Sequence, residues 1–246
     1  MSNNDSLYFY AIIENQAIPK IEGIDKQPVY TIPFGEVAAV VSDLGYHKIR
    51  PERRHLSAHQ TVFQKLMEST TPLPFAFGII PENKAAIEKV IKKYHDEFSQ
   101  QLKHVSGNVE FVLNVIWSVP NIFDYFIYMD AELRETRNQL FKRSQQPSID
   151  EKIIIGKLFE KKLNEKREEI AEQVEEVLNK FCVEIKRKEC KKENQALSLA
   201  CLVSREKEKE FIEGITTVAQ FFDNSYTFDY NGPWPPHHFV NITLKF

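Results

Sequence analysis

The sequence predicts an α+β fold in two tandem domains. Short runs of aromatic and β-branched residues recur between long amphipathic stretches, the pattern of strands interleaved with helices. From Val109 onward the elements fall in the order βαββαβ with one helix inserted after the first strand, which is the ferredoxin-like, split βαβ arrangement. The first half carries a similar but less regular set of strands with two helices, so a related α+β sandwich is expected there. A length of 246 residues suits two such domains, and the Ser106-Gly107 break sets them at residues 1–107 and 108–246.

Leu7–Ile13 (LYFYAII) and Val37–Ser42 (VAAVVS) read as central strands, because aromatic and β-branched side chains suit a buried, pleated surface. Pro51 opens a helix whose apolar residues Leu56, Val62, Phe63, Leu66 and Met67 recur at helical spacing, and Thr70-Thr71-Pro72 ends it. A strand-like LPFAFGII follows. Pro81 then starts one long amphipathic helix through Ile87, Val90, Ile91, Tyr94, Phe98 and Leu102. In the second half Val109–Trp117 reads as a strand, and Ile122 to about Arg143 and Ser148–Phe181 as helices separated by Gln145-Gln146-Pro147. Cys182–Glu189 and Leu197–Val203 read as strands, Glu206–Phe222 as a helix and Phe239–Phe246 as the closing strand. The Ser148–Phe181 helix would run roughly 50 Å at the α-helical rise, more than a small sheet covers. Part of it is expected to project, as a solvated face of i,i+4 ion pairs or as an arm that grips a partner helix.

Charge and composition exclude several classes. With 32 basic against 35 acidic residues the net charge is -3, so no global field attracts phosphate backbones. No uncharged stretch approaches the roughly 18 apolar residues that a spanning helix needs. The N-terminus carries Asp5 and no basic cluster, which does not fit a secretory signal and predicts a cytoplasmic protein. Cys182, Cys190 and Cys201 form an odd set with no C-x-x-C pair, consistent with reduced structural thiols. No two glycines lie closer than ten residues, which removes both nucleotide-binding glycine loops and the serine elbow.

Few groupings could carry chemistry. His55 and His59 stand one helical turn apart, a spacing that lets two imidazoles share a metal, but no Glu follows His55 and a third ligand would have to come from His47 or a distant carboxylate. His237-His238 lie on an extended segment that turns neighbouring side chains to opposite faces. No cofactor or metal is expected from either pair. The strands Val109–Trp117 and Leu197–Val203 lack the basic-Gly-aromatic motif of an RNA-recognition sheet. Aromatics instead crowd FFDNSYTFDYNGPWPPHHF, which is either a turn that packs Trp234 on the core or a proline-stiffened contact surface; the two can coexist.

The segment GPWPPHHFV at Gly232–Val240, with LPFAFG at Leu73–Gly78, HLSAHQTV around His59, NVEFVLNVIW at Asn108–Trp117 and IIGKLFEKKL from Ile154, resembles the gas vesicle GvpF/GvpL family over nearly the whole chain. Family members commonly follow the prolines with Tyr-Ser, where this chain has His237-His238. The resemblance implies a two-domain α+β accessory or minor component of gas vesicles, not an enzyme. It also implies a protein that binds the small, very hydrophobic shell protein, works with other accessory proteins, and aids nucleation and assembly in the cytoplasm and at the vesicle. Trp234, Pro235 and Phe239, with Phe75 and Phe77, are the expected protein-binding residues. Neither nucleic acid nor membrane is an expected partner. The competing readings are a metal-dependent enzyme built on His55 and His59, and an RNA-binding tandem α+β module.

Overall fold

The structure, a computed structural model, describes residues 6–143 and 148–242. The chain forms two compact units: residues 6–111 with 202–205 and 232–242, and residues 112–201 with 206–231. The fold is of the expected mixed α+β class, with two four-stranded sheets.

In the first unit, strands β1 (Leu7–Glu14), β2 (Val29–Phe34), β3 (Val37–Asp43) and β4 (Leu73–Pro74) pair in the order β2-β3-β1-β4. All three pairings are antiparallel. The central pair buries both faces, which is why β1 and β3 read as continuous apolar runs rather than as alternations. Strand β2 has no counterpart in the sequence reading, because Pro33 interrupts VYTIPF. It lies at the sheet edge, where a missing N–H is tolerated. Only Leu73–Pro74 of LPFAFGII joins the ladder. Phe75 N still donates to Tyr10 O at 2.9 Å, and Phe9 N to Ile79 O at 3.0 Å, so the segment stays beside β1 while Phe77-Gly78 turn away from it.

Helix α1 (Arg53–Met67) follows β3, with His55, His59, Val62, Phe63, Leu66 and Met67 on its buried face. The single long helix expected after Pro81 is two helices, α2 (Lys84–Lys93) and α3 (His95–Val105), divided at Tyr94, whose ψ of 18° departs from the helix.

Strands β5 (Asn108–Trp117), β6 (Glu184–Arg187), β7 (Gln195–Ser204) and β8 (Tyr226–Trp234) form the second sheet in the order β6-β7-β5-β8. Three helices, α4 (Ile122–Met129), α5 (Ala131–Arg143) and α6 (Ile149–Leu178), separate β5 from β6, and α7 (Glu208–Ala219) separates β7 from β8. This is the expected βαββαβ order. The expected 122–143 helix is broken at Asp130, whose carboxylate accepts Leu133 N at 2.8 Å and so starts a new helix. The closing strand is β8, not Phe239–Phe246: residues 235–242 form a turn and irregular chain, and 243–246 lie outside the described residues. The apolar run at Phe239 packs as a buried turn rather than as a ladder. The Gln145-Gln146-Pro147 break also lies outside the described residues.

A capping box of Ser148 and Glu151 opens α6. All of its buried residues lie from Leu163 onward, while Ile149 and Ile154 near its start are 77% and 57% exposed. No helix among the described residues is long and apolar enough to cross a membrane.

Candidate functional site

The first unit contains an apolar groove of about 320 Å³. One wall is α1, which turns Leu56, Gln60, Phe63, Gln64 and Met67 toward it. These residues recur at helical spacing, so they form a single stripe along the helix. Phe75, Ala76 and Phe77 of the LPFAFG segment form the second wall, and Pro233, Trp234 and Pro235 with His237 form the third.

The rings are held by the core behind them. Phe75 packs at a tilt against Phe9 with centroids 4.5 Å apart, and Phe77 lies 5.7 Å from His59 and 6.0 Å from Tyr8. His59 ties the walls together. The Tyr8 hydroxyl accepts from Gly78 N at 3.1 Å, which leaves its hydrogen for His59 Nδ1 at 3.0 Å. Burial, and then the neighbouring His237, push the pKa of His59 down to about 4, so the ring is neutral at pH 7. His237 meets Phe63 edge-on at 6.0 Å and is also held below the usual histidine range by burial.

Three devices hold the remaining edges. Gly232 sits at φ +143°, and a Cβ there would lie 2.7 Å from Phe111 and 2.8 Å from Glu110 O, so the chain enters GPWPP as only glycine allows. Glu110 is a buried carboxylate on β5 that accepts His238 N at 2.8 Å and faces His238 Nδ1 at 2.5 Å. At the far end of α1, the Arg205 guanidinium donates to the carbonyls of Met67 and Thr70, the latter at 2.7 Å. Met67 is the last residue of α1, so its carbonyl is one that the helix terminus leaves without an intrahelical partner.

Of the five residues expected to bind protein, Phe75, Phe77, Trp234 and Pro235 meet in this groove. Phe239 does not line it: the ring is 1% exposed and belongs to the core. A ring so enclosed cannot touch a partner, and its place there is packing. Sequence reasoning missed Glu110, His238 and Arg205 as supports, and the α1 wall. The helical stripe at Leu56, Gln60 and Gln64 was a readable signal, whereas the supporting contacts join residues far apart in the chain and leave no local signature.

His55 and His59 serve separate partners. His55 Nε2 lies 3.2 Å from Asp25 Oδ1 and its Nδ1 3.1 Å from Arg50 O, while His59 faces Tyr8. Among the described residues, no group of three or more His, Cys, Asp or Glu side chains could hold a metal ion.

The family model described as gas vesicle synthesis protein GvpL/GvpF matches residues 6–241. Gas vesicle protein F of Dolichospermum flosaquae is 26% identical over 242 residues, spanning 96% of this chain and 98% of that one. Gas vesicle protein L1 of Halobacterium salinarum is 24% identical over 257 residues, spanning 95% and 89%. The crystal structure of GvpF from Anabaena sp. PCC7120 superposes with a TM-score of 0.86 at 23% identity, over 98% of this chain and all (100%) of that one. GvpF from Microcystis aeruginosa gives 0.83 at 23% identity, over 97% and 100%. At that identity the two structures establish the shared fold.

Proposed function

Because the chain belongs to the GvpL/GvpF family of gas vesicle synthesis proteins, we propose that it is a non-enzymatic assembly factor that holds the small, hydrophobic shell protein in the groove described above. Held there, the shell protein is kept from aggregating while the vesicle nucleates in the cytoplasm. The observation that carries this reading is convergence. LPFAFG and GPWPP, two of the segments that carry the family resemblance, lie far apart in sequence yet supply two walls of one apolar groove. Aromatic rings and prolines already locked by the core lose little freedom when a partner binds, and such preformed anchors dominate protein interfaces.

An acceptor of apolar segments must itself remain dispersed. The groove is small and rimmed by Gln60 and Gln64 rather than spread as a wide apolar face. Other vesicle accessory proteins complete the expected partner set.

Co-expression tests the reading. The chain, tagged at its N-terminus, is produced with and without the shell protein; the shell protein is expected to stay in the supernatant and elute with it. A folded chain beside a fully aggregated shell protein would refute direct capture.

A further inference from the structure

The groove does not end in neutral surface. Arg53 lies one turn before Leu56 on the same stripe of α1, and both it and Arg50 are exposed. The loop before α1 brings Lys48 and Arg50 to the same end: Ile49 Cγ2 is 3.9 Å from where a Cβ on Gly78 would stand, next to the groove wall Phe77, and Arg50 O is held by the His55 ring. Arg54, by contrast, is occupied by Glu52 at 2.9 Å and faces Asp25. No ion-pair partner for Lys48, Arg50 or Arg53 occurs among the described residues. At the opposite end of α1, Lys65 is bridged to Glu68 at 2.6 Å and the Arg205 guanidinium is engaged by the carbonyls of Met67 and Thr70.

These cations stand where folding does not ask for them. The first turn of α1 carries Arg53 and Arg54, where the helix dipole disfavours cations; the N-cap residue Glu52 pairs with Arg54 at 2.9 Å, whereas Arg53 has no ion-pair partner among the described residues. Arg53 departs from that local rule without an ion pair, which leaves it available to a group outside the chain.

We infer that the occupant of the groove is an apolar segment with carboxylates at one end, its apolar side chains against Phe75, Phe77 and Trp234 and its acidic end against Lys48, Arg50 and Arg53. This inference rests on reading the groove as a docking site. The polarity fixes the direction in which the segment lies, and an arginine fork at a groove mouth suits carboxylates in particular. The apolar walls supply most of the adhesion, and the cations supply orientation and selection against basic segments.

The test uses the full chain and two fluorescein-labelled amphipathic helical peptides with the same leucine face, one ending in a run of glutamates and the other in glutamines. At about 0.05 M salt the glutamate peptide is expected to bind at least about fivefold more tightly, and the difference should vanish near about 0.5 M salt. Replacing Lys48, Arg50 and Arg53 together by Gln should erase the preference and leave the glutamine peptide's affinity unchanged. Equal affinities for the two peptides at low salt would overturn the inference. Gln60→Trp, which fills the groove from an exposed position, separates the underlying reading. If it weakens both peptides while they bind equally, the groove stands and the acidic preference falls. If it weakens neither, or neither peptide binds, the groove reading falls and the inference with it. A thermal melt of each variant confirms that it is folded.

Discussion

Replacing His59 by Gln tests the groove's internal scaffold through pH. The ring has an ordinary pKa of 6.5 in the unfolded chain and about 4 in the folded one, because burial disfavours its charged form and His237 stands nearby. Above pH 6.5 both states hold a neutral ring and His59 contributes no pH dependence. As the pH falls from 6.5 toward 4, the unfolded chain binds a proton that the folded chain refuses, so stability is lost across that window; below it both states are charged and the loss levels off. The interval from 6.5 to about 4, at about 1.4 kcal/mol per pH unit, sets the full loss at about 3 kcal/mol. The glutamine side chain would keep an oxygen to accept the Tyr8 hydroxyl but cannot titrate. The His59→Gln variant should therefore be weaker at pH 7.5, by about 1 kcal/mol for imperfect hydrogen bonding, and should lose about 3 kcal/mol less than the parent between pH 6.5 and 4. Urea unfolding followed by tryptophan fluorescence at several pH values measures both slopes. Parallel slopes for parent and variant would refute the claim that His59 is buried neutral against Tyr8.

Three further changes probe the walls. Gly232→Ala drives a Cβ to within 2.7 Å of Phe111 at a positive φ, so a loss of about 2–4 kcal/mol is expected in chemical denaturation, from overpacking and backbone strain together. Arg205→Ala removes the donors to Met67 and Thr70; about 1–3 kcal/mol should disappear, with amide exchange quickening first at the C-terminal end of α1. Trp234 is only half-buried, so Trp234→Ala should cost about 1–2 kcal/mol in a thermal melt, less than a full core deletion, while co-elution with the shell protein is lost. Stability falling by the full core amount with co-elution intact would assign Trp234 to packing alone.

Much of this was readable in the residues. Aromatic and β-branched runs marked β1, β3, β5 and β7, and the 3.6-residue stripe marked α1, because burial on one or both faces imprints its period on the chain. The segments LPFAFG and GPWPP could be singled out as distinctive, and with them Phe75, Phe77, Trp234 and Pro235. Boundaries failed where one residue overrode a period. Pro33 hid β2, and Asp130 cut one apparent helix into two by capping its second half. Residues 239–242, the described part of the expected closing strand, join no ladder, because apolar residues do not say whether a partner strand is available, and β8 already takes the edge beside β5.

The family, the α+β class, the ferredoxin-like order of the second half and the residue types of the groove all follow from the amino-acid order. Tertiary packing was needed to bring Phe75 and Phe77 together with Trp234 and Pro235 beside α1, to bury Phe239 in the core, and to place the buried Glu110 carboxylate against His238. The reason is physical. Periodicity and turn chemistry are local and are written residue by residue, whereas a groove is made by side chains from distant segments whose meeting depends on strand register and on which face each helix buries.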